Sequence, residues 1–430
     1  MVRIIGGGLA GCEAAYQLLK RGHSVELYEM RPVKNTPAHK TEGLAELVCS
    51  NSLKSEDVTT SQGLLKKEMS LFGSLILECA DKARVPAGGA LAVDREVFSK
   101  EVERRLTEFK DFKLIREEVS DIGSEVIVAS GPLTSESLSE SIIKLTGADK
   151  LYFYDAVAPI VTLESVDKEK SFWSARYNKG TDDYLNCPMS KEEYDAFYEA
   201  LINAQTVILK EFEKREIFEG CMPVEVMAKR GVDALRFGPL RPVGIWGENG
   251  EKYYAVVQLR KEDNYDSLVN LVGFQTNLTF GEQKRVFSMI PALHDAEFVR
   301  YGVMHRNTYI NSPAALTESF ALKSDNSVFF AGQITGVEGY MESTMSGLIA
   351  GINMARRLEG KESLDLPETT LCGSLSRYVA NCKSNFQPMH VSFALLPPLD
   401  GKTKKQDRKA KYSERAISDL TAYLNEIKEA

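Results

Sequence analysis

VRIIGGGLAGCEAAYQLLKRGHSVELYE, residues Val2–Glu29, decides the fold. It parses as a strand, a glycine turn, an amphipathic helix, a short link and a second strand, which together make one βαβ unit. Gly6, Gly8 and Gly11 occupy the G-x-G-x-x-G positions. Such glycines make the tight turn, let the backbone approach a pyrophosphate, and let helix and strand pack closely. The helix N-terminus then faces the phosphates. Glu29 closes the second strand 18 residues after Gly11, where an acidic side chain accepts hydrogen bonds from an adenosine ribose. The alternative is a glycine turn in an unliganded α/β domain, with Glu29 a surface residue.

Two later segments choose the dinucleotide. SEVIVASGP (Ser124–Pro132) is a short apolar strand running into a small-residue turn at Gly131. SVFFAGQITGVEGYMESTMSGLIAGINMARRL (Ser327–Leu358) is a strand, a turn carrying Gly332, Gln333, Gly336 and Gly339, and a helix rich in small residues. That helix would aim its N–H groups and positive dipole end at a flavin pyrimidine edge. A nicotinamide dehydrogenase has no need of this second site, so FAD is the expected cofactor.

The cofactor domain is thus assembled from both ends of the chain, residues 1–184 and 276–430, around an insertion at 185–275. Ser190 and Glu193 form a capping box for a helix expected to reach about Lys214. ALRFGPLRPVGIW and KYYAVVQLRKE then read as strands of a small sheet. The fold class is therefore α/β, a Rossmann-type FAD-binding domain with an inserted smaller α+β domain. There is no internal repeat.

The totals agree with a multidomain globular protein. The chain has 430 residues, 43% hydrophobic and 27% charged, with a formal charge of -8. At about 150 residues per domain this implies two or three cores. The chain begins directly on a strand, without signal-peptide character, and no apolar run reaches membrane-spanning length, so a cytoplasmic protein is expected. Seven scattered cysteines without a C-x-x-C pair imply free thiols in a reducing compartment. The five histidines show no helical ligand spacing, and no metal is expected. On this acidic chain Gly401–Ala416 carries seven cations against two carboxylates. Lys404, Lys405, Arg408 and Lys409 could dock a phosphate backbone, or could be an ordinary solvated helix face. Lys229, Arg230, Arg236 and Arg241 form a second cluster in the insertion.

Cys49, in LAELVCSNSLKSED, and Cys221, in FEGCMPVEVMAKRG, sit in polar or turn-like settings. Cationic neighbours such as Lys229 and Arg230 raise a thiolate fraction, while a small buried filler is the rival reading. Cys12 and Cys79 read as packing residues on buried helical faces, and Cys187 as a loop thiol.

The segments IIGGGLAGCEAA, YEMRPVKNTPAHKTEGLAELVCSNSLKSE, FEGCMPVEVMAKRG, LRFGPLRPVG and FFAGQITGVEGYMES closely resemble the folate- and FAD-dependent tRNA uracil-5-methyltransferases, the TrmFO family. The resemblance runs nearly end to end, with Cys12 and Lys40 where the family usually has Ser and His. It implies a flavoprotein domain of the glutathione-reductase type with an inserted domain, and methylation at C5 of the T-loop uridine of tRNA. It further implies 5,10-methylenetetrahydrofolate as the methylene donor and NADH or NADPH as the reductant. Uracil C5 is a poor nucleophile until a thiolate adds at C6, and the transferred methylene must still receive a hydride. By resemblance Cys49 and Cys221 are the catalytic thiols, with Cys221 leaning towards the attack on the base, and His305 stacks the folate pterin. Arg230 and Arg236, with Phe237, would meet the flipped base. Rival readings are a ribosomal RNA methyltransferase of the same chemistry, a non-catalytic flavin-containing tRNA chaperone, and the longer wobble-uridine modification flavoproteins.

Overall fold

The computed structural model describes residues 1–147, 151–156, 158–207, 222–247, 250–262, 267–302, 304–383, 386–401, 403–404 and 406–429. Its first sheet runs Ala321–Leu322, Asp325–Phe330, Val126–Val128, Val2–Ile5, Val25–Glu29, Phe112–Arg116 from edge to edge. All neighbours are parallel except the first pair. Ile4 stands level with Leu27 on one side and Ile127 on the other, and Phe329 is level with Ile127. Parallel strands covered on both faces read as nearly continuous apolar runs, and VIV (126–128) and VFF (328–330) do so, while Val2–Ile5 is interrupted by the half-buried Arg3. Strands from residues 2–29 and 325–330 thus share one sheet.

Behind the glycine turn, the helix Leu9–Leu19 is buried along its whole length. It packs against the helix Tyr340–Leu358 at backbone contact. A Cβ on Gly347 would stand 2.1 Å from the Ala10 carbonyl oxygen, and one on Gly11 would stand 1.9 Å from that of Gly6. Side chains there would drive apart the two helices and the turn that carries them.

A second sheet is antiparallel throughout, in the order Phe172–Trp173, Tyr184–Met189, Ala255–Lys261, Leu268–Leu271, Ile160–Thr162, Phe298–Arg300. Its own core includes Tyr194, Phe197, Phe274 and Phe287 and draws on residues from Val161 to Ala296. The stretch 185–275 supplies the middle of this sheet, while strands at 160–162 and 298–300 lie outside that stretch and belong to the same sheet. A two-stranded ribbon, Leu151–Ala156 against Met304–Tyr309, links the two bodies.

Local signals in this domain divide instructively. The capping box forms: Glu193 N–H donates to Ser190 Oγ at 3.2 Å and Ser190 N–H to Glu193 Oε2 at 2.7 Å. The helix it opens ends at Ile202 rather than near Lys214. Asn203 closes it, and Thr206 pairs with Leu278, so the chain has already turned into bridge geometry. Cys187 is not a loop thiol; it lies fully buried on the strand Tyr184–Met189, opposite Val257.

Gly347→Ala is expected to destabilise the chain by about 1–3 kcal/mol through overpacking against Ala10. A denaturant midpoint equal to that of the parent chain would refute the close contact.

Candidate functional site

The glycine turn opens onto a cleft between the carboxyl ends of the parallel strands and the helix Tyr340–Leu358. Ligands of open α/β sheets bind at such carboxyl ends. Gly6, Gly8, Glu29, Gly131, Gly332 and Gln333 all line it, although they come from three distant parts of the chain. Gly11 lies beneath the turn instead. Gly336 lies apart from the lining, where the Phe386 ring leaves no room for a Cβ. Among the described residues neither the helix at Leu9 nor the helix at Tyr340 has a side-chain cap. Their first-turn N–H groups are therefore available to an anion or a polarised ring edge.

Glu29 is 6% exposed and its carboxylate is already engaged. Oε2 accepts the Gly7 N–H at 3.0 Å, and Oε1 accepts the Arg31 N–H at 3.0 Å and Arg31 Nε at 2.9 Å. An ionised carboxylate has about four acceptor positions, so capacity remains for a ribose hydroxyl. Burial pushes the Glu29 carboxyl up, but the Arg31 guanidinium and the N–H donors outweigh burial and hold it below the ordinary carboxylate range. Arg31, 1% exposed, also binds Glu46 Oε2 at 2.8 Å and the carbonyls of Thr41 and Gly43. One buried guanidinium thereby fastens the loop 40–46 to the Glu29 end of the cleft. Nothing in the residue pattern announced Arg31 beyond its place directly after the strand.

That loop leads to Cys49. Val48 and Tyr340 line the cleft, and the Tyr340 hydroxyl accepts the backbone N–H groups of Cys49 at 2.8 Å and Ser50 at 3.1 Å. Arg95 Nη1 donates to the Leu47 carbonyl at 2.6 Å and Arg300 Nη2 to the Val48 carbonyl at 2.5 Å. Arg260 reaches Ser50 Oγ at 2.7 Å and Asn51 Oδ1 at 3.2 Å. Cys49 is half-buried, whereas Cys12, Cys79, Cys187 and Cys372 are buried. Burial pushes the thiols of those four far up, Cys79 to about 12, so they stay protonated packing groups.

Cys221 and Lys405 fall outside the described residues. His305 lies on the linking ribbon opposite Asp155. Arg230 is exposed at the end of the helix Val224–Ala228. Arg236 is spent inside its domain: it pairs with Asp233 at 2.5 Å, donates to the Tyr254 carbonyl at 2.9 Å and lies 3.6 Å over the Tyr254 ring. Its neighbour Phe237 is 84% exposed. Lys404, Arg408 and Lys409 are exposed where the helix Arg408–Glu429 begins. Among the described residues no group of His, Cys, Asp or Glu is arranged to hold a metal ion, and no helix is long and apolar enough to cross a membrane.

A parallel sheet with a glycine cleft, joined to an antiparallel second domain, defines a two-domain dinucleotide-binding protein of the flavoprotein type. The family model for glucose inhibited division protein A matches residues 1–362. The GidA structure from Aquifex aeolicus has the same fold, with a TM-score of 0.72 at 15% identity over 99% of this chain and 73% of that one. A methylenetetrahydrofolate--tRNA-(uracil-5-)-methyltransferase TrmFO from Natranaerobius thermophilus is 58% identical over 425 residues, 98% of each chain. A TrmFO from Listeria monocytogenes is 54% identical over 430 residues, 99% of each chain. This chain belongs to the TrmFO family.

Arg31→Met would leave Glu29 buried beside no guanidinium, at a cost of about 3–5 kcal/mol. In the parent chain the lowered Glu29 carboxyl contributes stability that is present above pH 4.5 and lost as pH falls through its folded value. In the variant the backbone N–H groups of residues 7 and 31 still donate, but burial, the largest influence, is no longer opposed by the guanidinium and raises the carboxyl, so stability should increase as pH is lowered from 7 towards 5. Parallel stability-against-pH curves for the two chains would contradict this account.

Proposed function

We propose that this chain is a methylenetetrahydrofolate- and FAD-dependent tRNA (uracil-5-)-methyltransferase, forming 5-methyluridine in the T-loop and using NADH or NADPH as reductant in the cytoplasm. The observation that carries the reading is the meeting of a dinucleotide cleft with a half-exposed thiol segment, joined through Tyr340, in a chain more than half identical to TrmFO relatives along its length.

The residues present fit FAD. The uncapped turn at Leu9, with no acidic residue in it, suits a pyrophosphate, Glu29 suits the ribose, and the helix at Tyr340 suits the ring edge. When bound, FAD would supply the hydride that completes the methyl group. The chain's own residues do the remainder. Gly6, Gly8, Gly131, Gly332 and Gln333 bring backbone and amide groups to the cofactor, with Gly11 and Gly336 shaping the turns. Cys49 and Cys221 provide the two thiols, Cys221 adding to C6 of the uracil so that C5 becomes nucleophilic. His305, on the ribbon between the domains, stacks the folate pterin.

RNA would meet exposed cations on both bodies, Arg230 on the second domain and Lys404, Arg408 and Lys409 before and at the start of the last helix, with Lys405 next to them in the sequence. Arg236 orients the turn that presents Phe237 rather than contacting phosphate. Flipping the base costs a few kcal/mol, which phosphate contacts and stacking on Phe237 would offset.

Transfer of the labelled methylene carbon of the folate into unmodified tRNA, with FAD and NADH or NADPH present, tests the reading. Label appearing in C5 of the T-loop uridine is expected; absence of transfer would defeat it, and transfer into ribosomal RNA alone would redirect it. Cys221→Ala is expected to abolish transfer while the purified protein stays yellow. Replacing Lys404, Lys405, Arg408 and Lys409 by Ala should weaken tRNA binding and reduce its log–log salt slope by up to about 3. An unchanged slope would make that segment ordinary solvated surface.

A further inference from the structure

Three guanidinium groups gather around residues 47–51, each from a different element: Arg95 from the helix Arg95–Thr107, Arg260 from the strand Ala255–Lys261, and Arg300 from the strand Phe298–Arg300. Among the described residues, the carboxylate paired with one of them is Glu262. Glu262 binds Arg95 Nε at 2.8 Å and also accepts from Asn270 Nδ2. Arg260 is satisfied by Ser50 and Asn51, both neutral. Arg300 spends Nη2 on the Val48 carbonyl. Burial and the adjacent Arg95 charge hold its guanidinium below the ordinary range, a sign of positive charge in excess.

Arg95 adds a second observation. Its Nη2 is sealed from solvent and has no hydrogen-bond partner among the described residues. A buried donor without an acceptor costs about 1–3 kcal/mol, and a buried cation is ordinarily matched by an anion. Arg95 and Arg300 hold the carbonyls of the two residues before Cys49 and Tyr340 accepts its backbone N–H, so all three stand close enough to Cys49 for their charges to be felt there. Among the described residues, the charged and titratable groups on the elements packed against the Cys49 segment include Arg95, Arg300, Arg260, Glu262 and Tyr340, and its own loop carries Glu46 and His39. Burial first, and then a charge on Cys49, push the Tyr340 phenol up, so it stays protonated and offers no negative charge of its own.

We propose that Arg95 and Arg300 form a cationic seat, contributed by both domains, that holds Cys49 as a thiolate. Arg95 and Arg300 are positioning residues here; the proton leaves the thiol for solvent and the negative charge stays on sulfur between them. The seat is completed by the second domain, because Arg300 and the Glu262 that aligns Arg95 both lie on it. The use made of the thiolate rests on the methyltransferase reading above, whereas the seat itself does not.

The test is the rate of iodoacetamide alkylation of Cys49 against pH in the full-length, flavin-bound protein, followed by mass spectrometry of the peptide containing it. An ordinary cysteine titrates near about 8.5, and the seat should bring the midpoint at least about one pH unit lower. Arg95→Met should raise that midpoint by about one unit and slow alkylation at pH 7 about tenfold, with Arg95→Lys recovering most of the rate. Arg300→Met should act in the same direction and serves where Arg95→Met does not fold. A parent midpoint at or above about 8.5, or a midpoint that neither methionine variant moves, would overturn the proposal. Methyl transfer to tRNA by the parent chain is measured beside it: a lowered midpoint without transfer would defeat the methyltransferase reading and leave the seat standing.

Discussion

Everything at the cleft depends on two helices, from opposite ends of the chain, touching backbone to backbone. Leu9–Leu19 and Tyr340–Leu358 meet where Gly347 admits the Ala10 carbonyl at a distance no side chain would allow. The contact sets both amino termini on the same cleft, one behind the glycine turn and one beside Gln333. It also forces the intervening chain to leave the first domain and return. The second domain is the consequence of that detour.

Polar groups then tie the detour back to the cleft. Arg31 gathers two carboxylates and two carbonyls out of water, converting a loop of mixed composition into a fixed strap from Glu29 to Glu46. A single removed partner would strand a buried charge, so the strap is all or nothing. From its far end the chain passes directly to Val48 and Cys49, where arginines of both domains hold the backbone carbonyls. The glycine cleft and Cys49 are thus joined by one continuous stretch, residues 29–51.

Much of the fold was legible because its signals are local. The glycine spacing, the apolar strands and the Ser190–Glu193 capping box each concern residues within a few positions of one another, where turn and hydrogen-bond geometry leave little choice. The cleft residues Gly131, Gly332 and Gln333 were found for the same reason, each sitting in a small-residue turn at the end of an apolar strand. Where the reading missed, distant partners had intervened. Cys187 reads as a loop residue in its polar surroundings, yet pairing with Val257 draws it into a strand. The helix from Lys191 stops short because Thr206 finds Leu278. Arg236 reads as a surface cation until Tyr254, from another segment, supplies a ring and a carbonyl to hold it.

The amino-acid order by itself determined that a dinucleotide cleft exists, that it is built from both ends of the chain, and which family the protein resembles. Those follow from spacing between near neighbours. Only the tertiary structure decided which cations gather around residues 47–51, that Arg31 locks Glu29, and that strands at 160–162 and 298–300 join the second sheet. These depend on groups far apart in sequence sharing a small volume, where the cost of an unpaired buried charge selects the partner, and no local pattern records that cost.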